Sequence, residues 1–178
     1  RFGAEALHWS GASKKNQLIY GASLGFVFLT AVEVMDGNSS EWGASMGDVV
    51  ANATGTALYV SQELIWHEQR IIPKFSYHKT QYSSYRPDVF GSTTSEQILK
   101  DYNGQTYWFS VNLYSFFKGS KLPKWLNLSL GYGAQGMISG NDENFIPISV
   151  LKSEKSRQFY LSLDADLTKI KTKSHFLK

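Results

Sequence analysis

The sequence predicts an α+β protein with a mainly helical N-terminal half built on an antiparallel helix pair and a smaller extended, strand-containing C-terminal part. Two long apolar segments meet across Asp36-Gly37-Asn38, as the arms of a helical hairpin would. After residue 103 the period shortens to two. It is clearest in Trp125–Tyr132 (WLNLSLGY) and Phe159–Leu167 (FYLSLDADL), which alternate as half-buried strands do. With 178 residues, 42% hydrophobic and 19% charged, the chain suits one domain, with a helical core over about 1–102 and a mixed extended region over about 103–178.

Phe2–Trp9 reads as a short opening helix, broken by Ser10–Ser13, and Ser13 is placed to cap the long apolar segment Lys14–Met35. Within it Leu18–Val32 (LIYGASLGFVFLTAV) carries no charge. That run is shorter than the roughly 20 residues needed to cross a bilayer, so a buried central helix is expected ahead of a membrane hairpin. Gly21, Ala22 and Gly25 would let another helix approach closely. The second helix is expected from Ser45 to Arg70, with Ser45 and Asp48 at capping-box spacing and Ala51, Ala53, Gly55 and Ala57 forming a small-residue face. Its polar end, Gln62–Arg70, should emerge into water before Pro73 stops it.

Lys74–Gly91 reads as an irregular aromatic segment around Arg86-Pro87, and long ordered loops of this kind cover a core or line a binding surface. Tyr77, Tyr82, Tyr85, Arg86 and Phe90 are therefore candidate partner-surface residues. Thr94-Ser95-Glu96-Gln97 gives a second capping-box pattern, opening a helix through Tyr102, and Asn103-Gly104 turns the chain. Thr106–Phe117 fits helix and strand equally well.

Aromatics make up 15% of the chain, an excess that suits a large contact surface or a lipid interface as well as a packed core. The net charge of +3 is concentrated at the end: residues 152–178 hold seven Lys/Arg against three Asp/Glu. Lys169, Lys171 and Lys173 would share one face of a strand, as a solvated edge or as a surface for anionic headgroups or an acidic partner. No recognition motif accompanies these cations, so nucleic acid is not an expected partner. The absence of cysteine excludes disulfides and thiolate chemistry within these residues. The chain opens at Arg1 already in a helix, and an upstream segment carrying a signal peptide or a lipid-bearing cysteine is expected.

Glu33, Asp36, Asp48 and Asn52 form the candidate polar cluster. Glu33 and Asp36 share a helix face at i, i+3, while Asp48, Asn52 and Gly55 share one at i, i+4, i+7, so a hairpin would bring three carboxylates and an amide together. Such a set could hold a hard cation or position a water for hydrolysis. The same residues could equally serve as caps and interhelical hydrogen bonds. His67 beside Glu68 lacks the second histidine of a zinc-protease helix, the serines lack a nucleophile elbow, and Gly131–Gly136 reads as a tight aromatic-glycine turn rather than a nucleotide fingerprint. No cofactor, metal or catalytic residue is expected.

The helical half, with ILKDYNGQTYWFSVNL at 98–113 and WLNLSLGYGAQGM at 125–137, resembles the YfiM-like family of predicted periplasmic lipoproteins, in its longer Bacteroidota branch. Roughly residues 14–66 match the whole family, through Glu33-x-x-Asp36, Asp48, Asn52 and Gly55, a pattern also similar to VanZ-like membrane proteins. Both groups carry an upstream Asp-Lys and a following His that this chain does not contain. The resemblance implies a non-catalytic envelope protein at the periplasmic face of the outer membrane that binds a membrane protein partner, an outer-membrane barrel. A plug or accessory subunit of an export barrel such as the type IX secretion translocon is its specific form. The alternative is a metal-dependent or hydrolase-like enzyme acting on an envelope component through the Glu33/Asp36/Asp48/Asn52 cluster.

Overall fold

A computed structural model describes residues 2–37, 45–138 and 155–171, with residues 2, 36 and 37 described by backbone alone. The fold is α+β. In order come α1 (Phe2–Trp9), α2 (Lys14–Asn16), a π-helical stretch (Gln17–Ala22), α3 (Ser23–Gly37), α4 (Met46–Ile65), β1 (Ile71–Tyr77), α5 (Tyr82–Tyr85), α6 (Pro87–Phe90), α7 (Thr94–Lys100), β2 (Gln105–Asn112), α8 (Leu113–Phe116), β3 (Leu126–Gln135), β4 (Ser156–Ala165) and a 3-10 turn (Leu167–Lys169). The chain divides into two compact units, Arg1–Gln69 and Arg70–Lys178. The division falls inside the expected helical core, and the strand-bearing unit is the larger of the two.

In the first unit the Ser13 hydroxyl accepts from the Asn16 amide at 3.3 Å and opens the helical run through α2, the π stretch and α3. α3 packs against α4 as a hairpin. The close helix approach predicted for the glycines occurs at one of them. A Cβ on Gly21 would lie 2.4 Å from the backbone of Ala4, so α1 rests directly on it, whereas Gly25 and Gly55 face open space.

The buried central helix is overturned. Val27, Phe28 and Met35 are 61%, 65% and 72% exposed, and the helical run Lys14–Met35 is 22 residues long, apolar enough to cross a membrane by length and composition. The water-facing end of the second helix is overturned as well: Gln62 is 2% exposed and Glu63 8%, while Leu64 and Ile65 beside them are exposed. That helix ends at Ile65 with the Trp66 amide donating to Gln62 O at 2.8 Å, and His67, at φ 57°, carries the chain away in the left-handed conformation. Pro73 lies beyond the helix, in an edge strand that tolerates its missing donor.

The second unit is built on one antiparallel sheet in the order β1-β2-β3-β4. Lys74–Tyr77, expected in the irregular segment, belongs instead to strand β1 (Ile71–Tyr77), and Thr106–Phe117 divides into most of β2 and α8. Gly131 and Gly133 lie inside β3 and form no turn. A Cβ on Gly131 would meet the Trp108 ring at 2.6 Å, so its absence lets that indole lean across β3 toward Tyr160, 5.9 Å away ring to ring. Tyr82, Phe90 and Ile138 make a small apolar core beside the sheet. The helix α7 is capped one residue earlier than the sequence pattern suggests, by Thr93 and Glu96 in a complete capping box.

The sheet is polarised in the opposite sense to that of a protein folding in water. Register aligns Tyr107 with Tyr132 and Phe159, Phe109 with Leu130 and Leu161, and Val111 with Leu128 and Leu163 on one face. Most of these side chains are exposed, up to 79% at Phe159. The opposite face carries Ser110, Asn112, Asn127 and Ser129, all at 3% exposure or less. Across the described residues five hydrophobic side chains are buried and fifteen polar or charged ones, which reverses the usual preference.

Candidate functional site

The hairpin end of α3 and α4 holds part of the predicted cluster. Ser45 caps α4, its hydroxyl accepting from the Asp48 amide at 3.4 Å. The Ser45 amide in turn donates to Glu33 Oε2 at 3.5 Å. Glu33 therefore takes, from the preceding helix, the reciprocal role that a capping box assigns to its own third residue. Asp48 is exposed, Asn52 is half-buried and Gly55 is exposed. The side chain of Asp36 lies outside the described residues. Among the described residues no three His, Cys, Asp or Glu side chains converge as metal ligands.

The other end of the same hairpin holds a polar knot that sequence reading missed. Lys14 Nζ stands 2.5 Å from Glu63 Oε2, Gln69 donates to Glu63 Oε1 at 2.9 Å and to Tyr59 O at 3.2 Å, and Gln62 donates to Gln69 Oε1 at 3.0 Å. Buried Gln17 donates to Ala12 O at 2.7 Å. No local signal marks it, because Lys14 and Glu63 lie 49 residues apart along the chain.

The polar face of the sheet is a second connected network. Asp164 on β4 accepts from Lys74 Nζ and Ser110 Oγ, each at 2.5 Å, and from Ser129 Oγ at 3.3 Å. Asn127 donates to Ser110 at 2.8 Å and accepts from Asn112 at 2.7 Å. Asn112 Oδ1 then accepts from the Ser115 amide and hydroxyl and, at 3.0 Å, from Lys169 Nζ. A cleft of about 200 Å³ lies along this face, bounded by Lys74, Trp108, Ser129 and Asp164 among others. Each buried group here finds a partner, as a polar interior requires.

The predicted partner surface is redistributed. Tyr82 and Phe90 are buried against each other and cannot contact a partner. Tyr85 is exposed, Tyr77 half-buried at the end of β1, and Arg86 reaches Ile138 O at 3.5 Å and Asp88 at 3.6 Å. Among the described residues Lys169 and Lys171 lie in no strand: Lys169 ends a 3-10 turn and points into the Asn112 network, also donating to Ser115 Oγ at 2.8 Å. Lys171 is exposed, and Lys173 lies outside the described residues. No family model, curated protein or solved structure matches the chain.

Proposed function

We propose that this chain is a non-catalytic protein of the bacterial outer membrane, whose sheet stands in the bilayer and joins a membrane protein partner. Its support is the reversed sheet: the Phe109-Leu130-Leu161 row faces outward while the Ser110-Ser129 row directly behind it is buried. In hydrocarbon that polarity is the stable one, because lipid covers the apolar face at no cost and the polar groups satisfy one another. β3 and β4, at ten residues each, match the roughly 9–11 residues with which a tilted strand crosses a bilayer.

A sheet in lipid must also satisfy its edges, since unpaired amides and carbonyls in hydrocarbon cost several kcal/mol each. β1 carries Pro73, whereas β4 has no proline and, among the described residues, its outer edge pairs with no other strand. The partner is accordingly a membrane barrel that pairs with β4, which fits the outer-membrane setting implied by the YfiM-like resemblance. The export-barrel accessory role is one form of that pairing.

The sequence contains no cysteine, so single labels can be placed cleanly. Spin labels at Leu161→Cys and Ser162→Cys, in protein reconstituted into vesicles, should give opposite results. Position 161 is expected to be accessible to oxygen and protected from a water-soluble nickel chelate, and position 162 to lack that lipid signature. Strong nickel access at 161 would overturn membrane embedding. Co-purification with a barrel after gentle detergent extraction tests the partner.

A further inference from the structure

The first unit contains a groove unrelated to the sheet. It has a volume of about 500 Å³, within the range of small-molecule sites, and its apolar walls are Leu18, Ile19, Val60 and Leu64. Ile19 and Leu64 are 49% and 62% exposed, so the groove opens outward. Lys14, Lys15 and His67 line the same groove.

The two lysines are unequally engaged. Lys14 is neutralised by Glu63, the one acidic group of the lining, and Glu63 is further held by Gln69. Lys15 makes no ion pair among the described residues, and both Lys15 and His67 are exposed. Among the described residues His67 is also the non-glycine residue with positive φ, a conformation that persists where surrounding structure holds it and that clusters at binding sites. An apolar trough bordered by an unmatched cation is complementary to an anionic amphiphile. A neutral chain would leave the lysine unanswered, and a simple anion would leave the apolar walls uncovered.

We infer that this groove binds one anionic phospholipid, its acyl chain along Leu18, Ile19, Val60 and Leu64 and its phosphate against Lys15 and His67. The inference rests on the membrane setting proposed above, and it adds to that setting a lipid-selective site. Phospholipid is taken as the occupant because the bilayer of the setting proposed above supplies it, and its phosphodiester presents two anionic oxygens, one for each of Lys15 and His67.

The test is lipid retention by the full chain, purified in neutral detergent and measured by native mass spectrometry with phosphatidylglycerol, phosphatidylcholine and palmitate as probes. Phosphatidylglycerol is expected to be retained about tenfold better than phosphatidylcholine, with Lys15→Glu abolishing the preference and Lys15→Arg keeping it. Leu64→Asn should weaken retention of both lipids. Equal retention of the two lipids, an unchanged preference in Lys15→Glu, or displacement by equimolar palmitate would each overturn the inference. Circular dichroism of each variant confirms that the exposed substitutions leave the fold intact. Carbonate extraction of native membranes separates the two claims. Protein released by carbonate that still selects phosphatidylglycerol keeps the site and loses the embedding; protein retained without selectivity does the reverse.

Discussion

Lys74 and Asp164 stand on opposite outermost strands of the sheet, β1 and β4, yet their side chains meet at 2.5 Å. In a flat sheet three strand spacings alone would hold these backbones at least about 14 Å apart, and the register adds an offset along β4, since Lys74 shares its row with Tyr160. The sheet therefore curls, with its polar face concave, and the ion pair ties one edge to the other across β2 and β3. Ser110 and Ser129, from the two strands between, complete the carboxylate's shell.

Removing the cation alone should open this tie. Lys74→Met leaves the Asp164 carboxylate facing the polar interior with two hydroxyl donors, and the side chains are 35% and 26% exposed, so the cost falls below that of a fully buried pair. A loss of about 1–2 kcal/mol is expected in urea unfolding from detergent micelles. Lys74→Met combined with Asp164→Leu should recover most of it. If the double variant is no better than the single one, the loss comes from the missing tie between the strands and not from a stranded Asp164 carboxylate.

Lipid and water make opposite predictions for the apolar face. Leu130 is 58% exposed, and in a water-facing sheet Leu130→Arg would change stability by less than about 0.5 kcal/mol. Against bilayer hydrocarbon the same change should cost about 2–4 kcal/mol near the midplane. Folding titrations into vesicles of Leu130→Arg and Leu161→Arg distinguish the two. Unperturbed folding of both would remove the lipid-facing surface.

Periodicity made the strands legible and left their polarity open. Leu126–Leu130 and Leu161–Leu167 alternate apolar with polar residues, and an alternating strand has one apolar and one polar face in either solvent. Which face is buried depends on what surrounds the protein, and no residue in those segments records that. The same ambiguity hid the exposure of α3, because a charge-free run suits a soluble core and a bilayer alike. Caps were readable because their chemistry is local: Ser13 and Ser45 sit where their spacing put them. Glu33 could be picked out but not its partner, since its bond to the Ser45 amide joins two helices. The Lys14-Glu63 and Lys74-Asp164 pairs span long separations along the chain, and nothing local signals them.

Asn112 is the junction of the interior network and should be among its least replaceable members. Its side chain is 1% exposed, donates to Lys124 O at 2.8 Å and to Asn127, and accepts from Ser115 and Lys169. Asn112→Leu matches it in size but strands those partners, including a lysine ammonium. A destabilisation of about 2–4 kcal/mol is expected. Asn112→Asp keeps the acceptor for Lys169 while losing both donor bonds, and should fall between wild type and Asn112→Leu in thermal unfolding. A variant Asn112→Leu that melts with the wild type would show that the network contributes nothing to the fold.

Acid should release the cap of α7 at a pH unusual for a glutamate. Glu96 accepts from the Ser92 hydroxyl and amide, each at 2.8 Å, and from the Thr93 amide at 3.3 Å, and these bonds lower its pKa from 4.5 to about 2. A group whose pKa is depressed on folding stabilises the folded state above its unfolded value and loses that contribution as pH falls through the folded one. The cap's contribution is thus complete above pH 4.5 and disappears progressively toward pH 2. The protection factors of the Gln97 and Ile98 amides, taken relative to intrinsic exchange at each pH, should fall over that window in the wild-type chain. Glu96→Gln, which keeps an acceptor and cannot ionise, should show no such dependence. A carboxyl titration of Glu96 by NMR that centres on 4.5 would mean that Ser92 and Thr93 do not hold it in solution.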